Sequence, residues 1–571
     1  MERVLSHPYV VRYGPEMVVH GRHGPIEREP PMSEHPFGER PVPLEHAVRL
    51  AAIVVLVRRR GAPGADGPLE LFVVRRAREL KMFGGFVALL GGGLDPADGD
   101  AGDDQALVQC AARELFEESG VLTVTDVTQV PASARDQARR ALCQRGAAAA
   151  GFQRFLDEQG LAVDRARFHR AGRWVTPHFV PTRFDAHIFV VEASPEDDPQ
   201  VWPGELTSGE WIDPATLVLR WEQGDVLLHP PQSHIACTLA AWNKLEEGSQ
   251  ASSRPRMASP SSDRDGADWD ELGRAIATGG HRDNEQVATR IDFQRGIVMF
   301  PVVTPTLPPA QHTNVYIVGT GEFIVIDPGS PYADEQSRLH RLLDELRSEG
   351  HKPRAVVLTH HHEDHIGGAV AAAQHLGVPL LGHARTLDRV AVDASVAREV
   401  IEDGAILALA GPLSISLRAI FTPGHARGHL CFHDERSGAL ICGDMVSTLS
   451  TIIIDPPEGD LGQYFRSLER LKELRPRTLY PAHGLPTQHA LEKLEEYVMH
   501  RRARAEALAA ALSRGPRELL DLVAEVYADV PPMVHVLAAR SALASLEWLA
   551  SEGRVHPAGP VDAPTSRWVL V

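Results

Sequence analysis

The sequence has 571 residues, too many for a single hydrophobic core, and this length predicts three or four domains. Hydrophobic residues make up 43% and charged residues 23%, which is typical of globular domains, while the formal net charge of −18 argues against a protein that coats nucleic acid by bulk electrostatics. No apolar run reaches the roughly 18 residues of a membrane span and the first residues lack a secretory signal, so we expect a cytoplasmic protein without membrane contacts.

The order of predicted elements divides the chain into five parts and indicates a multidomain protein of the α/β and α+β classes. The end of the chain has helices followed by two short strand-like pieces, which is typical of a winged-helix-like module. The five parts are an irregular arm (1–45), a first α/β domain (46–245), a Ser/Pro/Arg/Asp-rich linker (246–289), a second domain of alternating strands and helices (290–495) and the winged-helix-like module (496–571).

The first domain contains an acidic helix behind a glycine-rich loop. In the stretch RELFEESGV, Glu114, Glu117 and Glu118 fall within about 100° of one another on a helix that Gly120 ends. Three carboxylates on one face repel each other unless a cation lies among them, and oxygen-only ligands favour Mg²⁺ or Mn²⁺. We therefore predict a metal site on this helix.

The order of Arg113, the three glutamates and Gly120 resembles the signature of the Nudix hydrolases. The resemblance implies an α/β/α sandwich and hydrolysis of a diphosphate linkage in a small molecule, with Glu117 and Glu118 as catalytic residues that bind the metal with Glu114. It implies a supporting role for Arg113. The signature has a further glutamate upstream, where this chain has Gln105, and the spacing from the glycine at position 92 is longer than standard.

The loop before this helix resembles a coenzyme A motif of one Nudix branch, the peroxisomal coenzyme A diphosphatases. That branch also has a helical insertion after the signature, which the Ala/Arg-rich stretch 132–159 would match. The resemblance implies that Arg76 and Lys81 bind substrate, although both would also suit an ordinary charged surface. Glu205 or Glu210 could supply a further metal ligand or a general base. The matching positions are Arg76, Ala77, Gly85, Leu89, Gly91 and Gly92; Lys81 replaces an arginine and Leu90 a proline.

The second domain contains the stretch LTHHHEDHIGG directly after a strand-like run. The spacing His360-x-His362-x-Asp364-His365 directs donors to two adjacent positions, because the last two residues begin the next helix. Neutral imidazoles suit zinc better than magnesium. We expect His361 and Glu363, which alternate with these donors, to point elsewhere.

The histidine stretch resembles the motif of the metallo-β-lactamase superfamily, whose other ligand positions follow in order. The resemblance implies an αββα sandwich with two Zn²⁺ and a bridging hydroxide that attacks a carbonyl or phosphorus, with Asp364 as a catalytic residue. One metal would bind His360, His362 and His425, and the other Asp364, His365 and His483. Asp444 would bridge both metals, and Asp327 would orient a ligand. His429 and His433 are not predicted to be ligands.

The C-terminal part resembles the lactamase-like endoribonuclease branch related to glyoxalase II. In that branch the C-terminal module helps to form the substrate groove, so Arg501, Arg502 and Arg504 could contact the phosphates of single-stranded RNA. These arginines could equally form a solvated helix face.

Three functions remain open from the sequence. Both halves could be hydrolases, the first acting on a coenzyme A-type or nucleoside diphosphate compound and the second on single-stranded RNA. Alternatively, only the second half is active and the Nudix half binds a ligand, which Gln105, Leu90 and the lengthened spacing favour. As a third possibility, the second half is a thioesterase or lactonase.

Overall fold

The computed structural model describes residues 47–571, except for 62–66, 81, 126, 128–129, 144–147, 178–179, 181, 195–196, 252–266, 280–289, 532–533, 560 and 562–565. The predicted arm at 1–45 therefore lies outside the described residues, as does much of the predicted linker. None of the helices in these described ranges combines the length and apolar character that crossing a bilayer requires.

The first domain is a mixed sheet between two layers of helices. Its long central strand pairs in parallel with β6 and antiparallel with β2 and β4. The strands are β1 (Val48–Arg59), β2 (Leu69–Arg76), β3 (Val87–Ala88), β4 (Leu90–Gly93), β5 (His169–Val175), β6 (Arg183–Glu192) and β7 (Leu206–Ile212). The helices are α1 (Asp104–Ser119), α2 (Ala132–Leu142), α3 (Ala148–Gln159), α4 (Pro214–Glu222), α5 (Pro230–Ala251) and α6 (Ala267–Gly279).

A buried cluster lies on each face of this sheet. Residues of α1, α2 and α3 pack on one face, and residues of α4, α5 and α6 pack on the other. The middle of β1 is buried towards both clusters, as expected for a strand that helices cover on both sides. The prediction of an α/β/α sandwich is confirmed.

Helix α6 corrects the prediction that 246–289 is only a linker. Trp269, Leu272 and Ile276 are 6%, 1% and 1% exposed and belong to the buried cluster on the sheet. Their spacing of three and four residues gives α6 an apolar stripe that packs against β5. Composition hid this helix, because the segment as a whole is rich in Ser, Pro and charge.

The second domain has two facing sheets with helices outside each. The first sheet has the order β14-β13-β12-β11-β10-β9-β8 and the second β15-β16-β17-β18-β19. The first contains β8 (Ile291–Gln294), β9 (Ile297–Val303), β10 (His312–Val318), β11 (Glu322–Ile326), β12 (Lys352–Val357), β13 (Leu380–Gly382) and β14 (Arg398–Val400). The second contains β15 (Ile406–Leu409), β16 (Ile415–Phe421), β17 (Leu430–Asp434), β18 (Ala439–Gly443) and β19 (Thr478–Pro481).

Helices cover the outer face of each sheet. One outer cluster contains residues of α7 and α9, and the other residues of α11 and α12. The αββα prediction is therefore confirmed. The helices are α7 (Ala333–Ser348), α8 (Glu363–Ile366), α9 (Ala369–Leu376), α10 (Ala384–Leu387), α11 (Leu461–Glu473) and α12 (Ala490–Leu512).

The described residues of the C-terminal module include two further helices and a small three-stranded sheet. The long helix α12 joins this module to the second domain, so the boundary predicted at 495 falls inside a continuous helix. Its first half packs on the second domain and its second half on the module. The elements are β20 (Arg517–Glu518), α13 (Leu519–Val526), α14 (His535–Ser551), β21 (Val555–Pro557) and β22 (Arg567–Leu570).

The first two domains share a buried interface. Phe86 and Leu227 of the first domain lie in the same buried cluster as Phe293 of the second. The backbone carbonyl of Phe293 accepts hydrogen bonds from the indole N–H of Trp221 at 2.9 Å and the amide of Leu228 at 3.0 Å. The loop after β2 therefore packs against the second domain.

We predict that Phe86→Ala destabilises the protein by about 3–5 kcal/mol, because it leaves a cavity at this interface. The Phe86 ring is fully buried and lies 5.5 Å from the ring of Phe293. Calorimetry should show the two domains unfolding together in the wild type and separately in Phe86→Ala. As a control, we use Phe155→Ala in the buried cluster between the first sheet and helices α1, α2 and α3. This variant should lower the Tm without separating the unfolding of the two domains. Two separate transitions in the wild type would contradict the prediction.

Candidate metal centres

The histidine stretch lies where two neighbouring parallel strands end. Asp327 follows β11, and Thr359 and His360 follow β12. Helix α8 then begins with His362 as its N-cap, so the chain turns sharply around the cluster. A Cβ atom at Gly329 would lie 1.8 Å from the carbonyl oxygen of Asp364, so only glycine permits this close approach.

Three histidines lie together where the first metal is predicted. Nε2 of His360 and Nε2 of His425 lie 3.0 and 2.9 Å from Nδ1 of His362. Burial lowers the pKa of His425 to about 3 and the pKa of His360 well below its usual value, so both rings are neutral at physiological pH. Neutral imidazole nitrogens at this spacing are suitable zinc ligands.

A second group, Asp364, His365 and His483, brings three donor atoms within 4.8 Å of one another. Nε2 of His483 lies 3.4 Å from Asp364 Oδ2 and 3.4 Å from Asp444 Oδ1. The other oxygen of Asp444 lies 3.4 Å from Nε2 of His425, so this carboxylate lies between the two groups. A carboxylate in that place can contact two metals at once.

Hydrogen bonds behind the rings fix their orientation. Asp327 accepts the Nδ1–H of His365 at 2.8 Å and the backbone amide of Thr359 at 2.7 Å, which leaves Nε2 of His365 facing the cluster. Such outer contacts select the tautomer of a metal ligand. Two further rings are held in the same way, His425 through Nδ1 to the Ile453 carbonyl at 2.8 Å and His483 through Nδ1 to the His312 carbonyl at 2.9 Å.

The cluster contains buried donor atoms that a cation would satisfy. Among the described residues, Nε2 of His365 and Oδ1 of Asp444 are buried without a hydrogen-bond partner. Burial opposes charge on His365, yet the carboxylates of Asp364, Asp444 and Asp327 hold its pKa well above the usual value. The negative charge of the site thus requires nearby positive charge, and the mixture of imidazole and carboxylate donors fits Zn²⁺.

His429 lies directly behind the carboxylate that the two groups share. Its Nε2 accepts the backbone N–H of Asp444 at 3.1 Å, and its Nδ1 is 2.9 Å from the hydroxyl oxygen of Thr422. Both ring nitrogens of His433, in contrast, are buried without a partner among the described residues. Both ring nitrogens of His429 are thus used in hydrogen bonds, and His429 fixes the backbone of Asp444 without being a ligand. The only sign of this role in the sequence is the position of His429 shortly after His425.

The glutamates of the first domain lie beside the glycine loop. Helix α1 ends at Gly120, whose φ of 80° is left-handed. Glu118 Oε2 accepts the amide N–H of Gly91 at 2.8 Å. A Cβ atom at Gly92 would lie 2.5 Å from the carboxylate of Glu114, so this glycine makes room for the acidic cluster.

The electrostatics of these glutamates favour a cation. Burial, followed by the charge of Glu114, raises the pKa of Glu117 to about 7 and that of Glu118 well above its usual value. In the part of the chain that the structure describes, groups of three donor atoms within 4.8 Å of one another lie in the histidine cluster, and the three glutamates do not form such a group. That arrangement fits Mg²⁺ or Mn²⁺, since Mg²⁺ in particular keeps several water ligands.

The two further carboxylates considered from the sequence differ in position. Glu205 is exposed, and its charge acts on both Glu114 and Glu117. Glu210 instead pairs with Arg220 at 2.8 Å. Glu205 is thus the one that lies near the glutamate cluster.

The predicted substrate-binding residues are scattered. Arg76, at the end of β2, is half-buried and its charge acts on Glu118, while Lys81 lies outside the described residues. Arg501 is only 5% exposed, and its guanidinium lies 6.0 Å from the ring of Tyr464. This corrects the prediction for Arg501, because α11, α13 and α14 enclose its part of α12. Arg502 is exposed and lies over the ring of Phe465 at 5.5 Å.

A cleft of about 960 Å³ is lined by α10 and the residues directly after it, by Arg427, by residues between 457 and 466, and by helix α14. Glu458 lines it, and its carboxylate is 3.9 Å from Nε2 of His361 and 3.2 Å from Nη2 of Arg389. Arg427, two residues after His425, contacts the same carboxylate through its backbone amide at 3.3 Å. Single arginines in loops have no characteristic spacing, so the sequence did not indicate them. The basic and aromatic residues of the cleft are Arg385, Arg389, Arg427, Arg466 and Trp548, and its acidic residues are Asp388, Glu458, Asp460, Glu547 and Glu552.

Family models match the chain in three places. The NUDIX domain model matches residues 48–229, the metallo-beta-lactamase superfamily model 308–483 and the beta-lactamase associated winged helix domain model 519–568. These matches follow the same order as the three folded parts described above.

Curated relatives include three lactamase-like proteins. "Lactamase-like protein adaB" of Aspergillus niger is 34% identical over 214 residues, which cover 36% of this chain and 60% of that protein. "Lactamase-like protein nscB" of Trichophyton verrucosum is 31% identical over 292 residues, or 45% of this chain and 93% of the relative. The "Beta-lactamase-like protein 2 homolog" of Caenorhabditis elegans is 30% identical over 253 residues, or 43% and 81%. The chain thus spans about three fifths of adaB and most of the other two.

Solved structures resemble each half separately. A metallo-beta-lactamase family protein of Thermus thermophilus is 27% identical with a TM-score of 0.40, covering 48% of this chain and 99% of that one. A NUDIX hydrolase of Alicyclobacillus acidocaldarius is 30% identical with a TM-score of 0.31, covering 34% and 92%.

We predict that His429→Ala weakens metal binding at the histidine cluster by about 10–100-fold, because the backbone of Asp444 loses its support. Competition with a chromophoric chelator on the full chain measures this affinity. His429→Gln should restore much of it, since the amide oxygen can accept the same N–H. His433→Ala is the matched buried control, and equal affinity in the two alanine variants would contradict the role of His429.

Proposed function

Because this chain belongs to the metallo-beta-lactamase superfamily and carries a NUDIX domain ahead of that domain, we propose that it is a metal-dependent hydrolase with two active sites. The second domain hydrolyses a phosphodiester in single-stranded RNA, and the first hydrolyses the diphosphate linkage of a small coenzyme A-type or nucleoside diphosphate compound. Both domain families are families of hydrolases. The substrates are our proposal.

The observation that carries the proposal for the second domain is a cleft with four arginines and five carboxylates, one of which, Glu458, contacts the histidine stretch. Arg389 and Arg427 contact Glu458, whose carboxylate lies 3.9 Å from His361. In the sequence, His361 stands between two predicted ligands. Phosphate groups are recognised by arginine through charge-assisted hydrogen bonds, and nucleobases stack on aromatic rings such as Trp548. These residues support a nucleotide substrate, and Glu458 connects the cleft to His361, which lies next to predicted metal ligands in the sequence.

Two Zn²⁺ would be held by the two histidine groups with Asp444 between them, and Mg²⁺ or Mn²⁺ by Glu114, Glu117 and Glu118. When bound, such metals activate water and stabilise developing negative charge. Asp327 keeps Nε2 of His365 directed at the cluster through its 2.8 Å hydrogen bond.

The first domain is proposed to act through its three glutamates. Burial of Glu118 and the repulsion among the carboxylates support a divalent cation there. The coenzyme A-like loop supports the substrate less directly, because Phe86 and the residues around it pack against the second domain.

We expect Asp364→Ala to abolish hydrolysis by the second domain and Glu118→Gln to abolish hydrolysis by the first, each leaving the other activity intact. Fluorogenic single-stranded RNA, acyl-thioesters and a panel of diphosphate compounds measure them. Cleavage of acyl-thioesters without RNA cleavage would replace the phosphodiester proposal with the thioesterase alternative. Identical diphosphate hydrolysis by wild type and Glu118→Gln would refute the catalytic role of the first domain and leave it as a ligand-binding module.

We further expect Arg389→Ala and Arg427→Ala each to raise the KM for RNA roughly tenfold with a smaller effect on kcat, because a charge-assisted hydrogen bond to phosphate is lost. Arg354→Ala is a matched control, since the Arg354 and Arg389 side chains are both 58% exposed and each pairs with one glutamate. A KM unchanged relative to Arg354→Ala would rule out the cleft as the binding site.

A further inference from the structure

The Nudix-like signature lacks its upstream glutamate in this chain, where position 105 is Gln105. Gln105 is exposed in the first turn of α1, and its backbone amide bonds to the N-cap Asp103 at 2.8 Å. Arg113 lies eight residues further along the same helix, which is about 12 Å along its axis. A side chain at position 105 therefore does not reach the guanidinium of Arg113.

Asp98, in the extra loop before α1, contacts Arg113 instead. Nε of Arg113 donates to Asp98 Oδ1 at 2.8 Å, and Nη2 donates to Asp98 Oδ2 at 2.8 Å. The two side chains are only 4% and 2% exposed, so this bidentate pair is almost completely removed from water. Asp98 is itself held, because its Oδ2 accepts the backbone N–H of Asp95 at 2.9 Å.

Arg113 in turn contacts the predicted metal ligands. Its Nη1 donates to Glu114 Oε1 at 2.6 Å and lies 3.8 Å from Glu117 Oε2. The guanidinium therefore lies between one carboxylate on the loop side and two on the metal side. The more strongly the guanidinium pairs with Glu114 and Glu117 rather than with Asp98, the more weakly these two glutamates attract a cation.

We infer that Asp98 is a positioning residue that, through Arg113, keeps the glutamate site of the first domain competent to bind its divalent cation. This rests on the proposed function of that domain. With the bidentate contact to Asp98 in place, Arg113 is paired on its loop side, and the glutamates remain available to the metal. Without it, the guanidinium pairs more strongly with Glu114 and Glu117 and competes with the cation.

The test measures the affinity of the full chain for Mn²⁺. The chain is first loaded with Zn²⁺, and electron paramagnetic resonance then monitors Mn²⁺ binding during a titration. Asp98→Asn should bind Mn²⁺ at the glutamate site about 10–100-fold more weakly than wild type, as expected when a residue behind a metal ligand is changed. Diphosphate hydrolysis should need correspondingly more Mn²⁺ and recover at saturating metal. Asp100→Asn, an exposed carboxylate of the same loop, is the control and should resemble wild type.

A double variant tests the alternative that a glutamate at position 105 could support Arg113. Asp98→Asn combined with Gln105→Glu should stay as weak as Asp98→Asn alone, because position 105 is too far from Arg113. Rescue by Gln105→Glu, or wild-type affinity in Asp98→Asn, would overturn the inference.

Hydrolysis by the second domain reports whether each variant is folded. If Asp98→Asn loses that activity too, Asp98→Glu is the deciding variant. It keeps the carboxylate and should bind Mn²⁺ within severalfold of wild type, and failure to do so in a folded chain would count against Asp98. Equal Mn²⁺ binding by wild type and Glu118→Gln would instead contradict the proposed function of the first domain.

Discussion

Metal-ligating side chains buried close together need a cation, and the architecture of both hydrolase domains depends on this constraint. In the second domain, imidazoles and carboxylates from the ends of several strands meet around Asp444, and two of their buried atoms make no hydrogen bond to the described residues. In the first domain, burial and, after it, the charge of Glu114 raise the pKa values of Glu117 and Glu118 on one helix. Each arrangement is unfavourable by itself and becomes favourable when divalent cations bind.

The two sites hold their buried metal-binding side chains with different contacts. The histidine cluster is rigid, because Asp327, His429 and backbone carbonyls hold the rings and the shared carboxylate from behind. The glutamate cluster relies on one arginine, which Asp98 contacts from the loop side. The domains are nevertheless not independent in space, since Phe86 and Phe293 belong to one buried cluster.

Much of the fold and of the sites follows from local sequence. The donors from His360 to His365 were predictable because their spacing at the end of a strand is restrictive, and the glutamates because they share one helix face. Other features depend on tertiary contacts. Helix α6 lies within a segment of linker-like composition, Arg501 is buried only because three helices surround it, and Asp98 meets Arg113 through a loop whose length masks their relation.

We propose that one chain holds two metal centres with different donors. Anomalous diffraction from crystals of the full chain, recorded at the Zn and Mn absorption edges after supplying both ions, tests it most directly. We predict two zinc peaks flanking Asp444, among the histidines, and at least one manganese peak beside Glu114, Glu117 and Glu118. A single peak at the histidine cluster, no peak at the glutamate helix, or metal bound elsewhere would contradict the account.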